Sequence, residues 1–132
     1  MPPDSVLRVL VIDDDRLVSR VVLRVLRSCQ VDLADNARVA LELARERPYD
    51  VVLCDLSMPD LSGEEVLTQL RRDATGLEKR FILMTGGAIT DAAIARVAAL
   101  QVPVLEKPMT AERLWAAVRG VLSPAQLERF GP

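Results

Sequence analysis

The feature that most restricts the fold of this chain is a repeated alternation. Five short apolar runs, Leu7–Ile12, Gln30–Ala34, Asp50–Cys54, Phe81–Met84 and Val102–Leu105, are separated by segments of helical periodicity. The runs are brief and mostly rich in Val, Ile or Leu, as strands buried on both faces are. The second is partly polar and is the weakest of the five. Between them, Leu17, Val18, Val21, Val22, Val25 and Leu26 recur at helical spacing, and so do Ala37, Ala40, Leu41 and Ala44. Ser62 followed by Glu65 has the form of a capping box before Val66, Leu67 and Leu70. A fourth helix is marked by Ile89, Ala93, Ile94, Val97 and Leu100, and a fifth, capped by Thr110, by Leu114, Trp115, Val118 and Val121. Ser123-Pro124 can start a further helical turn in a short extension. Strands alternating with helices predict an α/β fold: a doubly wound five-stranded parallel sheet with helices on both faces and right-handed crossovers.

On such a sheet, ligands bind outside the carboxyl ends of the strands. The first run ends in Asp13-Asp14-Asp15, the third in Asp55 and the fourth in Thr85-Gly86-Gly87, while Glu106-Lys107-Pro108 follows the fifth. Parallel strands bring all of these to one edge. Carboxylates packed together repel one another unless a cation intervenes. Magnesium, a hard ion that takes oxygen ligands and keeps coordination sites for phosphate, suits them. With a lysine and a hydroxyl beside them, these parts fit phosphoryl transfer, in which charge on the moving group must be positioned and neutralised. A carboxylate can serve as the nucleophile, giving an aspartyl-phosphate. Asp55, central in the sheet, is the best-placed candidate.

Composition narrows the chemistry further. Histidine is absent from the 132 residues, which removes Ser-His-Asp and Cys-His catalysis, His-ligated metals and phosphohistidine within this chain. Net charge is −2 with both signs interspersed, and aromatics make up 3%. Neither a basic stripe nor a stacking platform for nucleic acid is present. Cys29 and Cys54 match no zinc spacing. Cys54 reads as core, and a reducing cytoplasm is expected. No run approaches membrane-spanning length, and MPPDS is not a signal peptide.

These residues resemble the receiver domain of two-component response regulators over roughly residues 7–122. The motif elements stand in order: Asp13-Asp14, Asp55 within DLSMPDLSG, Thr85 thirty residues on, and Lys107-Pro108 twenty-two beyond that. The resemblance implies a flavodoxin-like sheet of order 2-1-3-4-5. It implies Asp55 as phosphoacceptor from a histidine kinase or histidine phosphotransfer protein. It implies Mg2+ bound by Asp14 and Asp55 directly, by Asp13 through water, and by the backbone carbonyl of Ser57. Thr85 and Lys107 would contact the phosphate, and the Lys107–Pro108 peptide would be cis. Residues 1–122 form the receiver on this reading and 123–132 a C-terminal extension. Such a domain is a signalling phosphoacceptor, not an enzyme in turnover, and is cytoplasmic, with no nucleic-acid or membrane partner. A downstream effector, or a second copy, would meet the face of helix four, strand five and helix five. A stand-alone regulator and the receiver of a hybrid sensor kinase both fit, the latter favoured by Val104 and Thr-Gly-Gly.

The sequence departs from the family in three places. Val104 stands where an aromatic residue often precedes the lysine by three positions, so output by the usual threonine–aromatic coupling is not expected. Ser57 and Gly87 occupy the two positions that tune phosphoryl lifetime, and Gly86-Gly87 suggests a mobile loop. Blander roles stand beside these. Asp15 reads as a helix cap, Asp60 as a turn residue and Trp115 as packing. Asp13-Asp14-Asp15 contains the DxD spacing of aspartate-nucleophile phosphatases, but no length remains for a cap domain. A receiver-like interaction module that is never phosphorylated is the alternative. Nucleotide-binding glycine motifs are absent.

Overall fold

The computed structural model describes residues 6–58, 60–86 and 90–130. The elements run β1 (Arg8–Ile12), α1 (Arg16–Val25), β2 (Gln30–Ala34), α2 (Ala37–Glu46), β3 (Val51–Asp55), α3 (Gly63–Asp73), a 3₁₀ turn (Leu77–Arg80), β4 (Phe81–Thr85), α4 (Asp91–Ala99), β5 (Val104–Glu106), α5 (Ala111–Val121) and α6 (Pro124–Phe130). All pairings are parallel, in the order β2-β1-β3-β4-β5. The five-stranded doubly wound sheet is thus the one expected.

Strand alternation sorts the core into two layers. Leu10, Ile12, Val52, Cys54, Phe81 and Leu83 face α2, α3 and α4, where they meet Ala40, Leu67, Leu70 and Val97. Val9, Val11, Leu53, Ile82 and Met84 face α1 and α5, where they meet Val22, Leu26, Leu114 and Val118. Every residue of β3 and β4 is buried. These central strands therefore carry no polar residue until their last, Asp55 and Thr85.

Each helix start has a side-chain cap. Asp15, Asn36, Ser62, Thr90 and Thr110 accept from the N–H groups of Leu17, Val39, Glu65, Ala93 and Arg113. Such caps satisfy donors that the helix itself leaves free. Asp15 and Thr110 act as expected.

Several expectations shift. β3 begins and ends one residue later than the apolar run Asp50–Cys54 and β4 runs one residue past Phe81–Met84, and Asp55 and Thr85 end their strands as expected. β5 starts two residues late, at Val104; Pro103, lacking an N–H, contributes only its carbonyl, to Leu83 N–H at 2.9 Å. Leu17 and Val21, among the apolar positions of helical spacing, are 70% and 45% exposed, and Ile94 of α4 is 50% exposed. The apolar stripes of α1 and α4 are wider than the sheet can cover. Pro59, Gly87 and Ile89 lie outside the described residues. The C-terminal extension forms α6. Phe130 packs on the α1/α5 core, and the Gln126 amide donates to Asp50 Oδ1 at 3.4 Å. No helix among the described residues is long and apolar enough to cross a membrane.

Candidate functional site

The expected residues meet at the carboxyl edge of β1, β3, β4 and β5. Asp13 directly follows β1. Its N–H donates to the Ala34 carbonyl at 3.0 Å, continuing the β1–β2 ladder by one rung. Its side chain is fully enclosed. Oδ1 accepts from the Asp15 N–H at 2.8 Å, while Oδ2 lies 2.9 Å from Lys107 Nζ without a well-directed hydrogen bond. Asp14 is exposed. Asp55 Oδ1 lies 3.3 Å from Lys107 Nζ and accepts from the Ser57 N–H at a long 3.4 Å. One ligand oxygen from each of Asp13, Asp14 and Asp55 falls within 4.8 Å of the others.

Backbone contacts explain this convergence. Lys107 N–H donates to the Thr85 carbonyl at 2.8 Å, which carries the lysine back over the sheet edge. The Lys107–Pro108 peptide is cis, as the resemblance implied. Thr85 itself is buried. The Leu56 N–H donates to the Met84 carbonyl and the Gly63 N–H to the Leu56 carbonyl, both at 2.9 Å. A Cβ at position 63 would lie 2.7 Å from the Asp55 carbonyl oxygen and 2.7 Å from a Leu83 methyl. Only glycine lets α3 start so close to the nucleophile candidate.

The electrostatics of this edge follow from burial and from the crowding of its acids. Burial, and then the Asp13 charge, push the Asp55 carboxyl above its usual range, although Lys107 opposes both. Burial acts against the Lys107 charge, but the two carboxylates outweigh it and its pKa is raised. Burial and the adjoining Asp55 and Asp13 charges hold the Cys54 thiol well above its usual range, so it remains a neutral core group. Three acids and one ammonium leave an excess of negative charge. The enclosed Asp13 Oδ2 lies beside the Lys107 ammonium with no directed hydrogen bond. Oxygen donors at this separation fit a magnesium ion.

Two features escaped sequence reasoning. Asp60, read as a turn residue, reaches α2, and its carboxylate accepts from the Ala37 and Arg38 N–H groups. No local signal announces this, because the partners lie 23 and 22 residues away. The second feature is an apolar rim in which Leu17, Val18 and Val21 of α1 join Pro108 and Met109 around Lys107, bordering a depression of about 230 Å³. The six apolar positions of α1, more than one buried stripe needs, were the available sign.

An acid after β1 and another at the end of β3 facing a lysine after β5, on a sheet of this order, place the molecule in the receiver class of α/β domains. The model of the response regulator receiver domain matches residues 9–119, and the chain belongs to that family. Response regulator MprA of Mycolicibacterium vanbaalenii is 40% identical over 121 residues, which are 87% of this chain and 50% of that protein. The chain therefore spans about half the length of such relatives. A response regulator receiver domain protein from Clostridium thermocellum superimposes with a TM-score of 0.78 at 27% identity, covering 93% of this chain and 99% of that one. The chemotaxis response regulator CheY4 of Vibrio cholerae, 23% identical, shares the fold with the same score, over 89% and 99% of the two chains.

Proposed function

We propose that the chain is a phosphoacceptor of two-component signalling. In this reading Asp55 takes a phosphoryl group from a phosphohistidine on a histidine kinase or histidine phosphotransfer protein. The observation that carries it is the Asp55 carboxylate at the end of β3, with Lys107 Nζ 3.3 Å from Oδ1 and two further acids within ligand distance. Mg2+ would be held by Asp13, Asp14, Asp55 and the Ser57 carbonyl, and when bound it neutralises charge on the transferring group. An Asp55 oxygen attacks phosphorus, the P–N bond breaks, and the imidazole leaves with the electron pair. Lys107 exchanges its carboxylate contacts for one to the new phosphate, and the Thr85 hydroxyl donates to a phosphate oxygen. The Asp55 pKa is raised first by burial and then by the Asp13 charge, and a cation between the two carboxylates would offset the second of these.

The donor would dock on the apolar rim of α1, where exposed Leu17 borders the same depression as Lys107. Output through α4, β5 and α5 is supported by exposed Ile94 and Val104 on that side, and phosphorylation would shift the population of that surface. The phosphoacceptor unit would span residues 1–122, with 123–132 as its extension. The chain accepts and releases one phosphoryl group and turns over no other substrate.

The test is intact-protein mass after incubation with acetyl phosphate and Mg2+, beside Asp55→Ala. One added phosphoryl group in the wild type alone is expected. No gain in a folded, magnesium-supplied protein, with a phosphohistidine donor also failing, would favour an interaction module that is not phosphorylated.

A further inference from the structure

We infer that Asp60 is a positioning residue: it ties the β3–α3 loop to α2 and so sets the affinity of the acidic edge for its divalent cation. The inference rests on the magnesium reading of that edge. Asp60 lies three residues beyond Ser57, whose carbonyl belongs to the proposed ligand set. Its Oδ2 accepts from the Ala37 N–H at 3.0 Å and the Arg38 N–H at 3.2 Å, and its Oδ1 lies 3.2 Å from the Ala37 nitrogen.

Capping α2 does not by itself require this contact. Asn36 already caps that helix, accepting from the Val39 N–H at 2.9 Å. Asp60 takes the N–H groups that the local cap leaves, so its distinctive effect is on the loop. The loop is pinned at its ends by the Leu56–Met84 and Gly63–Leu56 backbone bonds. Between them, Met58 and Leu61 pack partly buried against the core, and the Ser57 N–H makes only the 3.4 Å contact to Asp55. Among the described residues, Asp60 provides the hydrogen bonds that join the middle of this loop to another element. The element it joins follows directly on β2, whose last carbonyl, that of Ala34, accepts from the Asp13 N–H. Asp60 therefore links the backbone that carries Ser57 with the backbone that carries Asp13. A metal site depends on the partners that orient its ligands as well as on the ligands.

The experiment measures Mg2+ binding to the unphosphorylated full chain by titration calorimetry, with melting temperature in EDTA alongside. The variants are Asp60→Ala, Asp60→Asn and Asn36→Ala. Asp60→Ala is expected to weaken Mg2+ about tenfold, the low end for loss of a group that supports a ligand. Asp60→Asn keeps one acceptor for the Ala37 N–H and should lose less, which keeps the test usable if the alanine variant does not fold. Asn36→Ala should lower the melting temperature with Mg2+ affinity close to that of the wild type, because it weakens α2 without freeing the loop. Equal affinity in both Asp60 variants and the wild type would overturn the inference, as would an equal loss in Asn36→Ala. A wild type that binds no Mg2+ would overturn the underlying reading of the edge as well.

Discussion

Adding one methyl group at two glycines should move stability in opposite directions. Gly63 and Gly120 each lie within a helix, yet their surroundings differ. A Cβ at Gly63 would meet the Asp55 carbonyl oxygen and a Leu83 methyl, both at 2.7 Å, and the Leu56 Cα at 3.1 Å. Two of those three neighbours are backbone and have little room to give. Relief requires α3 to move off the end of β3 by several tenths of an ångström. Overpacking of this kind costs about 1–3 kcal/mol. The helical preference of alanine over glycine offsets up to about 1 kcal/mol, and less at a first helical position. A net loss of about 1–2 kcal/mol is expected, or roughly 3–8 °C in melting temperature. At Gly120 a Cβ meets nothing within 4 Å, so Gly120→Ala should gain about 0.5 kcal/mol. Urea unfolding of the two variants beside the wild type gives both signs. Acetyl phosphate labelling of the same samples should show Gly63→Ala slowed, because the displaced atoms adjoin Asp55, and Gly120→Ala unchanged. A Gly63→Ala protein as stable and as readily labelled as the wild type would refute the close-approach reasoning.

Asp55→Asn should melt higher than the wild type in EDTA, because ionisation of this carboxyl is disfavoured in the fold by burial and Asp13 and the amide removes that charge. Added Mg2+ should then raise the wild-type melting temperature more than that of the variant. Lys107→Met strips the ammonium from two buried carboxylates. It should cost about 1–3 kcal/mol in EDTA, discounted from a fully buried pair for the partial exposure of the lysine, and Mg2+ should restore more stability to it than to the wild type. Asp60 has a depressed pKa: partial loss of hydration raises it, and backbone N–H groups, led by those of Ala37 and Arg38 and joined by those of Leu61 and Asp60, together more than offset this. Its contribution to stability is therefore complete above the unfolded carboxyl pKa of about 3.9. It is lost as pH falls through the lower folded value, so the melting-temperature gap between wild type and Asp60→Asn should narrow in acid.

The sequence revealed most where one residue type can play only one part in the fold. Continuous apolar runs such as Val51–Cys54 have no use except between two layers of helices, and a carboxylate at the end of such a run can sit only at the sheet edge. Asp13, Asp55, Thr85 and Lys107 were legible for that reason. Strand order was not, because β2, the weakest run, carries no mark of which edge it takes; only the family resemblance supplied it. The exposure of Leu17, Val21 and Ile94 was not legible, because periodicity shows an apolar stripe but not its width relative to the surface that covers it. Asp60 was missed for a third reason. Its partners are backbone N–H groups, which every residue but proline carries, so no spacing in the chain distinguishes a turn acid from one that reaches a distant helix.

The two kinds of residue divide the work of the molecule. β3 and β4 are buried along their whole length and make the sheet hard to deform. The polar groups at their ends are individually unfavourable where they stand. Asp55 resists ionisation, and Asp13 Oδ2 is sealed from water with only a lysine charge beside it. A flexible scaffold would relax by separating these charges. This one holds them together, because Asp13 extends the β1–β2 ladder, Thr85 fixes the Lys107 backbone and Gly63 brings α3 against Asp55. Repulsion held by the fold becomes affinity for whatever neutralises it. The gain is largest when positive charge arrives between the carboxylates, and on the proposed function a phosphoryl group on Asp55 would then change which oxygens Lys107 faces. Loosening the scaffold should therefore weaken cation binding before it unfolds the protein, whereas removing an acid should stabilise the metal-free fold while abolishing the chemistry.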